Sequence, residues 1–222
     1  MSNIIRVERV IVSVTHKEGV VEFAKFLAEQ GAEIISTGGT AKLLRDNGVP
    51  VTEVSDYTGF PEILEGRVKT LHPKIHGGIL AQLDKKEHTE QMRKYDIKPI
   101  NMVVVNLYDF ESVYTKKDEV EMPLRKALDQ IDIGGPTLLR AAAKNFPYVA
   151  AVCDPEDYPK LMEEIKRDGG ISGLTRLRLA QKVFERISQY DAMIAKFLDG
   201  ARKSLEWSIG IASEIQVGMK LG

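Results

Sequence analysis

The sequence has little of what secreted, membrane-spanning and metal-stabilised proteins depend on. Its 222 residues include one cysteine, Cys153, so no disulfide can form within the chain. That cysteine and the four histidines show no zinc-ligand spacing. No apolar stretch approaches the roughly 18 residues of a membrane span, and no secretory signal precedes the first apolar run. We therefore expect a cytoplasmic protein that contacts no membrane and needs no metal.

An excess of charge of one sign is lacking as well. The 31 basic residues balance 32 acidic ones, which leaves a formal net charge of -1. A nucleic-acid-binding surface usually requires a clear basic excess, so we expect no nucleic-acid partner and only local cationic sites. The contents of 43% hydrophobic and 28% charged residues are ordinary for a globular protein. Cys153 ends an apolar run, which predicts a buried thiol.

Apolar runs alternate with amphipathic segments along the chain. Continuous apolar runs separated by helices indicate an α/β fold, namely a doubly wound, mostly parallel sheet with helices on both faces. We expect one domain over residues 1–200 and leave the tail 201–222 unassigned. The predicted strands are Val10–Val14, Ala32–Ser36, Val51–Val54, Met102–Leu107 and Val149–Cys153. The predicted helices are 19–30, 40–47, 122–130, 136–145, 155–168 and 173–198.

Ligands of such folds bind outside the carboxyl ends of the strands, so the residues after each strand are the candidates for a site. The segment Ser36–Thr40 contains two glycines before a helix and suits a phosphate, because the helix N-terminus offers amide donors and partial positive charge. Alternatively, Thr40 caps the helix and the glycines only turn the chain. Ser13–Lys17, after the first strand, would lie nearby if the two strands are neighbours; Lys17 alone is typical of solvated surface.

Three further segments have side chains suited to chemistry. Gly66–Pro73 holds two cations, a hydroxyl and an imidazole, or is simply a charged loop. Asn106–Phe110 follows the strongest predicted strand and offers polar groups to a heterocycle, or else Tyr108 belongs to the core. In Gln130–Asn145 an aspartate precedes a Gly-Gly-Pro turn, and an arginine and a lysine share one helix face across three alanines. These alanines leave room for close packing or for a close ligand.

Taken together, these segments resemble the IMP cyclohydrolase domain of the bifunctional purine-biosynthesis protein that also has a formyltransferase domain. The likeness covers roughly residues 7 to 200 and is carried by Gly-Arg-Val-Lys-Thr-Leu-His-Pro at 66–73 and Gln-Ile-Asp-Ile-Gly-Gly-Pro-Thr-Leu-Leu-Arg-Ala-Ala-Ala-Lys-Asn at 130–145. The resemblance implies a methylglyoxal synthase-like fold. It also implies ring closure of 5-formamidoimidazole-4-carboxamide ribotide, a purine ribotide, to IMP without a cofactor.

The resemblance implies two groups of site residues. The group implied for catalysis is Lys69, Tyr108, Asp132 and Lys144. The group implied for substrate binding is Thr15, His16, Lys17, Thr37, Gly38, Gly39, Thr40, Arg67, Val68, Thr70, Val105, Asn106 and Ile133.

The chain departs from the family pattern at three places. His16 stands where the family usually has aspartate, and Asp109 stands where it usually has proline. No formyltransferase domain follows, and the tail after about residue 200 matches nothing in the family. We therefore expect a free-standing cyclohydrolase, or that domain alone, that receives its substrate from a separate formyltransferase partner. The resemblance implies that it forms a homodimer.

Two other functions use some of the same residues. A methylglyoxal synthase-like lyase acting on a triose phosphate would share the phosphate loop, but it needs carboxylates as the base and leaves 67–70 and 141–144 without a purpose. A non-catalytic nucleotide-sensing module would need the phosphate loop without Asp132 and Lys144 together.

Overall fold

The computed structural model describes residues 4–107, 110 and 124–220, with side chains up to residue 206. Tyr108 and Asp109 lie outside the described residues, so the predictions that involve them stay predictions.

Five parallel strands form one sheet. They are β1 (Arg9–Val14), β2 (Glu33–Ser36), β3 (Thr52–Glu53), β4 (Met102–Asn106) and β5 (Ala150–Val152). Their order in the sheet is β3-β2-β1-β4-β5, and every neighbouring pair is parallel. The predicted strands and the parallel α/β fold are confirmed, but the third strand is shorter than predicted because a helix already begins at Val54.

Helices connect the strands. In chain order they are α1 (Val20–Glu29), α2 (Gly38–Asp46), α3 (Val54–Thr58), α4 (Pro73–Leu80), α5 (Lys86–Lys94), α6 (Leu124–Asp129), α7 (Gly134–Lys144), α8 (Tyr158–Asp168) and α9 (Gly173–Lys220). Helices α3, α4 and α5 were not predicted; α3 is only five residues long, and α4 contains two glycines that weaken its helical pattern. The last helix continues through most of the tail that the sequence left unassigned.

Helices cover both faces of the sheet. Val10, Val12 and Val14 of β1 belong to a core cluster that includes side chains of α1 and α8. Alternate residues of a strand point to opposite faces, and on the other face α7 lies against β4, where Val105 meets the backbone of Gly135. Ala141, Ala142 and Ala143 of α7 are buried, so these alanines serve close packing.

The chain divides into two compact units. Among the described residues, the first unit consists of 4–107 and 132–187 and contains the whole sheet. The second consists of 110, 124–131 and 188–220. Within the second unit, the ring of Phe110 meets the rings of Tyr190 and Phe197 edge-on, with centroids 6.3 and 5.5 Å apart.

None of the helices in the described ranges combines the length and the apolar character needed to cross a membrane. Over the same ranges, the side chains of His, Cys, Asp and Glu form no group of three or more that could hold a metal ion.

The thiol of Cys153 lies in the core, as predicted. Its burial is the main reason that its pKa rises to about 11. Such a thiol stays protonated near neutral pH and is a poor nucleophile.

The imidazole of His76, on α4, makes stability depend on pH. Its Nε2 is buried and meets no hydrogen-bond partner among the described residues. Burial lowers the pKa of His76 below its usual 6.5, so the unfolded chain binds a proton more readily than the folded chain.

We therefore expect the free energy of unfolding to fall as the pH drops through 6.5. In urea titrations, the wild type should lose more stability between about pH 7.5 and about pH 5 than His76→Leu, which has no imidazole to protonate. Equal losses in the two proteins would contradict this role of His76.

Candidate active site

Asn106, at the carboxyl end of β4, holds the loop that follows β1. Its side-chain oxygen accepts hydrogen bonds from the backbone amides of Thr15 (2.7 Å) and His16 (3.0 Å). Its side-chain nitrogen donates to the carbonyl of His16 at 2.9 Å. The amide that was predicted to bind substrate is thus engaged with the chain's own backbone, and it fixes the path of residues 15–17.

Thr40 and Lys17 fasten the same loop from the other side. The buried Thr40 hydroxyl accepts from the amide of Val14 (3.2 Å) and donates to its carbonyl (3.0 Å). The ammonium of Lys17 donates to the Thr40 hydroxyl at 2.7 Å and also to the Val14 carbonyl. Burial lowers the pKa of Lys17 from its usual value. The Ser13–Lys17 and Ser36–Thr40 segments are therefore neighbours, as expected for adjacent strands.

Helix α2 begins at this edge with a glycine turn. Gly38 has a φ of +55°, which favours glycine. Thr37 is the N-cap residue, and within the described chain its side chain makes no capping hydrogen bond. A Cβ added at Gly39 would meet no described heavy atom within 4 Å, so open space lies beside the first turn. This turn offers an anion both amide donors and the positive end of the helix dipole.

The side chains of residues 69 and 70 lie beside this turn and beside the start of α7, respectively. The ammonium of Lys69 lies 3.8 Å from the position of a Cβ on Gly38. The next side chain, the buried Thr70, lies with its hydroxyl 3.0 Å from the position of a Cβ on Gly134. The segment thus places a cation beside α2 and a hydroxyl beside α7.

Asp132 lies at the same end of α7. Its carboxylate accepts a hydrogen bond from the amide of Gly135 at 3.0 Å. A Cβ on Gly135 would be 2.3 Å from Asp132 Oδ2 and 3.1 Å from Val105 Cγ1, so Asp132, Gly135 and the end of β4 are in close contact. The edge of the sheet therefore carries amide donors and cations at one end and a carboxylate with a hydroxyl at the other.

Comparison with known protein families agrees with this architecture. Residues 19–137 match the family model described as MGS-like domain, which is more than half of the chain. The chain belongs to the MGS-like domain family. Residues 142–221 match a second family model, described as AICARFT/IMPCHase bienzyme.

Similar proteins extend this family membership over most of the chain. The bifunctional purine biosynthesis protein PurH of Anoxybacillus flavithermus is 55% identical over 190 residues, which are 86% of this chain and 37% of that protein. PurH of Caldicellulosiruptor bescii is 53% identical over 201 residues, 90% of this chain and 39% of that protein. This MGS-like chain thus spans about two fifths of the length of these relatives. The crystal structure of ForH is 34% identical with a TM-score of 0.74, and covers 86% of this chain and 98% of that one.

Lys17, Thr40, Lys69, Thr70 and Asp132 form the cluster at this edge of the sheet. The other predicted site residues of this MGS-like domain lie around this cluster or away from it. His16, Arg67 and Ile133 have exposed side chains, and Val68 forms a backbone bridge with Ile63. His72 was considered as part of the same segment, and its Nδ1 accepts from the amide of Lys74 at 3.1 Å and caps α4.

Lys144 is not brought to this cluster. It is the last residue of α7, whereas Asp132 precedes the first residue, so the helix separates them by about 15 Å at 1.5 Å per residue. The side chain of Lys144 is exposed, and the neighbouring Arg140 lies over the ring of Phe184 at 5.7 Å. Within one chain, Asp132 and Lys144 therefore lie at opposite ends of α7, and the catalytic roles of both stay predictions.

Three residues near the cluster were missed by sequence reasoning. Gly135 was seen as part of a turn, but its contact with Asp132 and Val105 depends on how α7 packs on β4. Glu62 and Gly66 lie beside the ammonium of Lys69. In the sequence, a glycine so close to two cations, Gly66, could have indicated a tight turn.

Gly135→Ala tests the packing that positions Asp132. The added methyl would overlap Asp132 Oδ2 and crowd Val105, so we expect the free energy of unfolding to fall by about 1–3 kcal/mol in urea titrations. Gly200→Ala is the control, because a Cβ there meets no described atom within 4 Å and alanine favours a helix. Equal stability of Gly135→Ala and wild type would contradict the packing described for Asp132.

Proposed function

We propose that the chain is an IMP cyclohydrolase that closes the ring of 5-formamidoimidazole-4-carboxamide ribotide with loss of water. The observation that carries this proposal is the identity of 55% and 53% to two PurH proteins over 86% and 90% of the chain. The match of residues 142–221 to the AICARFT/IMPCHase bienzyme model supports it over a triose phosphate lyase, which the MGS-like match alone would also allow.

In this proposal the phosphate of the ribotide binds at the start of α2. We place the phosphate between the amides of Gly38 and Gly39 and the ammonium groups of Lys17, which is bonded to Thr40, and Lys69, which lies beside Gly38. Thr37 and Thr40 line the same turn, and Thr40 holds Lys17 there. Arg67, nearby in sequence, is assigned to binding the phosphate or ribose. These contacts are alike in the ground and transition states, so they lower KM more than they raise kcat.

The base then extends toward α7, where the reaction takes place. The carboxamide nitrogen forms a bond to the formyl carbon and loses a proton. The formyl oxygen gains that proton and the proton of the formamido nitrogen, and it leaves as water while a C=N double bond forms between the formamido nitrogen and the former formyl carbon. Asp132 is oriented by the amide of Gly135 and is suited to accept a hydrogen bond from the carboxamide. Thr70, whose hydroxyl lies at the start of α7, is assigned to the developing oxyanion, together with Tyr108 in the role that the resemblance implies. Val105, Asn106 and Ile133 would form the walls of the base pocket.

A homodimer would explain the position of Lys144. Since α7 keeps Lys144 away from Asp132 of the same chain, we propose that it acts at the site of a second copy. Leu174, Leu177 and Phe184 leave apolar side chains exposed on one face of α9, with exposed fractions of 56, 47 and 43%, and Phe184 lies beside Arg140 of α7. An apolar face next to the exposed lysine supports a contact between copies.

The substrate must be formylated in a separate reaction before its ring can close. The matched PurH proteins are bifunctional and more than twice as long as this chain, so we propose that a formyltransferase domain or a separate formyltransferase partner supplies the formylated ribotide. We place this reaction in the cytoplasm.

The direct test is to incubate the purified protein with the formylated ribotide and to follow the absorbance of IMP. We expect IMP to form with the wild type. Gly39→Val should fold normally, because its side chain enters open space, yet raise KM by about tenfold or more with little change in kcat. Gly39→Ala should show a smaller increase. Absence of IMP would refute the function, and an unchanged KM for a folded Gly39→Val would refute the phosphate site.

Complementation tests the role of Lys144. Asp132→Ala and Lys144→Ala should each lower kcat by about 10² to 10⁴ while IMP still binds. If the two residues of one site come from two copies, unfolding and refolding a mixture of the variants should restore about a quarter of the wild-type activity, since half of the dimers then have one intact site. A mixture as inactive as its components would contradict the shared site, and a normal kcat for Lys144→Ala would remove it from the mechanism.

A further inference from the structure

A strained turn joins Glu62 to Lys69. Ile63 and Val68 form an antiparallel bridge, with N–H···O distances of 3.1 and 3.4 Å. Between them, Leu64 and Glu65 have φ values of 54° and 55°, which is uncommon for residues other than glycine. The bridge keeps the chain in this conformation and sets the residues that flank it, Glu62 and Lys69, side by side.

The two side chains meet over Gly66. Glu62 Oε2 lies 3.7 Å from Lys69 Nζ. A Cβ on Gly66 would be 2.6 Å from Glu62 Oε1 and 3.2 Å from Lys69 Nζ, so glycine leaves the space in which the carboxylate and the ammonium come together. Gly66 also has a φ of +85°, which favours glycine on its own account.

The other side of the same ammonium faces the start of α2. Lys69 Nζ is 3.8 Å from the Cβ position of Gly38, in the glycine turn assigned to the phosphate. Lys69 Nζ therefore lies between an acidic side chain of its own turn and the start of α2.

From this geometry we propose that Glu62 is a positioning residue of the candidate site, which holds the ammonium of Lys69 beside Gly38 so that it is already in place when an anionic group binds. Glu62 acts through Lys69 and does not itself contact the ligand. The inference rests on the proposed function only in so far as Lys69 serves the cyclohydrolase reaction.

The exposure of the pair favours positioning over a contribution to folding. The side chains of Lys69 and Glu62 are 34% and 45% exposed, and ion pairs at such exposure contribute little to stability. A lysine side chain has many rotamers, and ordering it before binding removes part of the entropy cost of association. The expected effect is correspondingly modest, about two- to fivefold in affinity.

A double-mutant cycle isolates this effect. The wild type, Glu62→Gln, Lys69→Ala and the double variant are titrated calorimetrically with ribose 5-phosphate, and kcat/KM for IMP formation is measured on the same proteins. Glu62→Gln should weaken binding of ribose 5-phosphate and lower kcat/KM about two- to fivefold in the wild-type background, and should cause no loss in the Lys69→Ala background. Glu65→Gln removes an acid from the same turn and should change neither value.

Three results would overturn the proposal. They are an equal loss in both backgrounds, no loss or tighter binding for Glu62→Gln in the wild-type background, and no measurable binding of ribose 5-phosphate by the wild type. Melting temperatures of all variants show whether each one is folded. The proposed function can fail separately. If the double-mutant cycle shows coupling between Glu62 and Lys69 in the binding of ribose 5-phosphate while no IMP forms, the role of Glu62 stands and the cyclohydrolase assignment does not.

Discussion

All five strands of the sheet run in one direction, and the sheet is covered by helices on both faces, so the polar residues that end the strands leave the core at one edge. The buried hydrogen bonds of Asn106 and Thr40 depend on this arrangement, since each joins the end of β1 to a different neighbour. They fix the path of residues 15–17. Without the shared direction of the strands, the glycine turn, Lys17 and Asp132 would not lie on the same edge.

The second requirement is close approach of backbone to side chain at the ends of two helices. Gly38, with a φ of +55°, turns the chain into α2 beside the ammonium of Lys69, and Gly135 lets Asp132 and Val105 contact the start of α7. The buried alanines of α7 serve the same end, because small side chains allow the helix to lie close to β4. The positions of the charged groups at the edge are thus consequences of packing as much as of their own chemistry.

The sheet could be predicted from the sequence because its strands are continuous apolar runs, and the glycine turn because its glycines follow a strand and precede a helix. The roles of Asn106 and Glu62 could not be predicted in this way. The partners of Asn106 lie about 90 residues away in sequence, at Thr15 and His16, and the pairing of Glu62 with Lys69 requires the left-handed conformation of Leu64. Helix α4 was not predicted because two of its eight residues are glycines, which have low helix propensity.

The distance between Asp132 and Lys144 is another feature that could not be predicted from the sequence alone. On the sequence both belong to one motif, and an i, i+4 pattern places Lys144 with Arg140 on one helix face. Their distance depends on where the helix begins, and α7 begins two residues after Asp132 and ends at Lys144. A motif that is continuous in sequence therefore spans the full length of a helix in space.

On the proposed function, the glycine turn at the start of α2 binds the phosphate of a purine nucleotide. Titration of the ¹⁵N-labelled protein with IMP, observed through backbone amide shifts, tests this binding. We expect large, saturable shifts for the amides of Gly38 and Gly39, with smaller ones near Lys17 and Lys69. Saturable shifts elsewhere in the chain that leave Gly38 and Gly39 unchanged would contradict it.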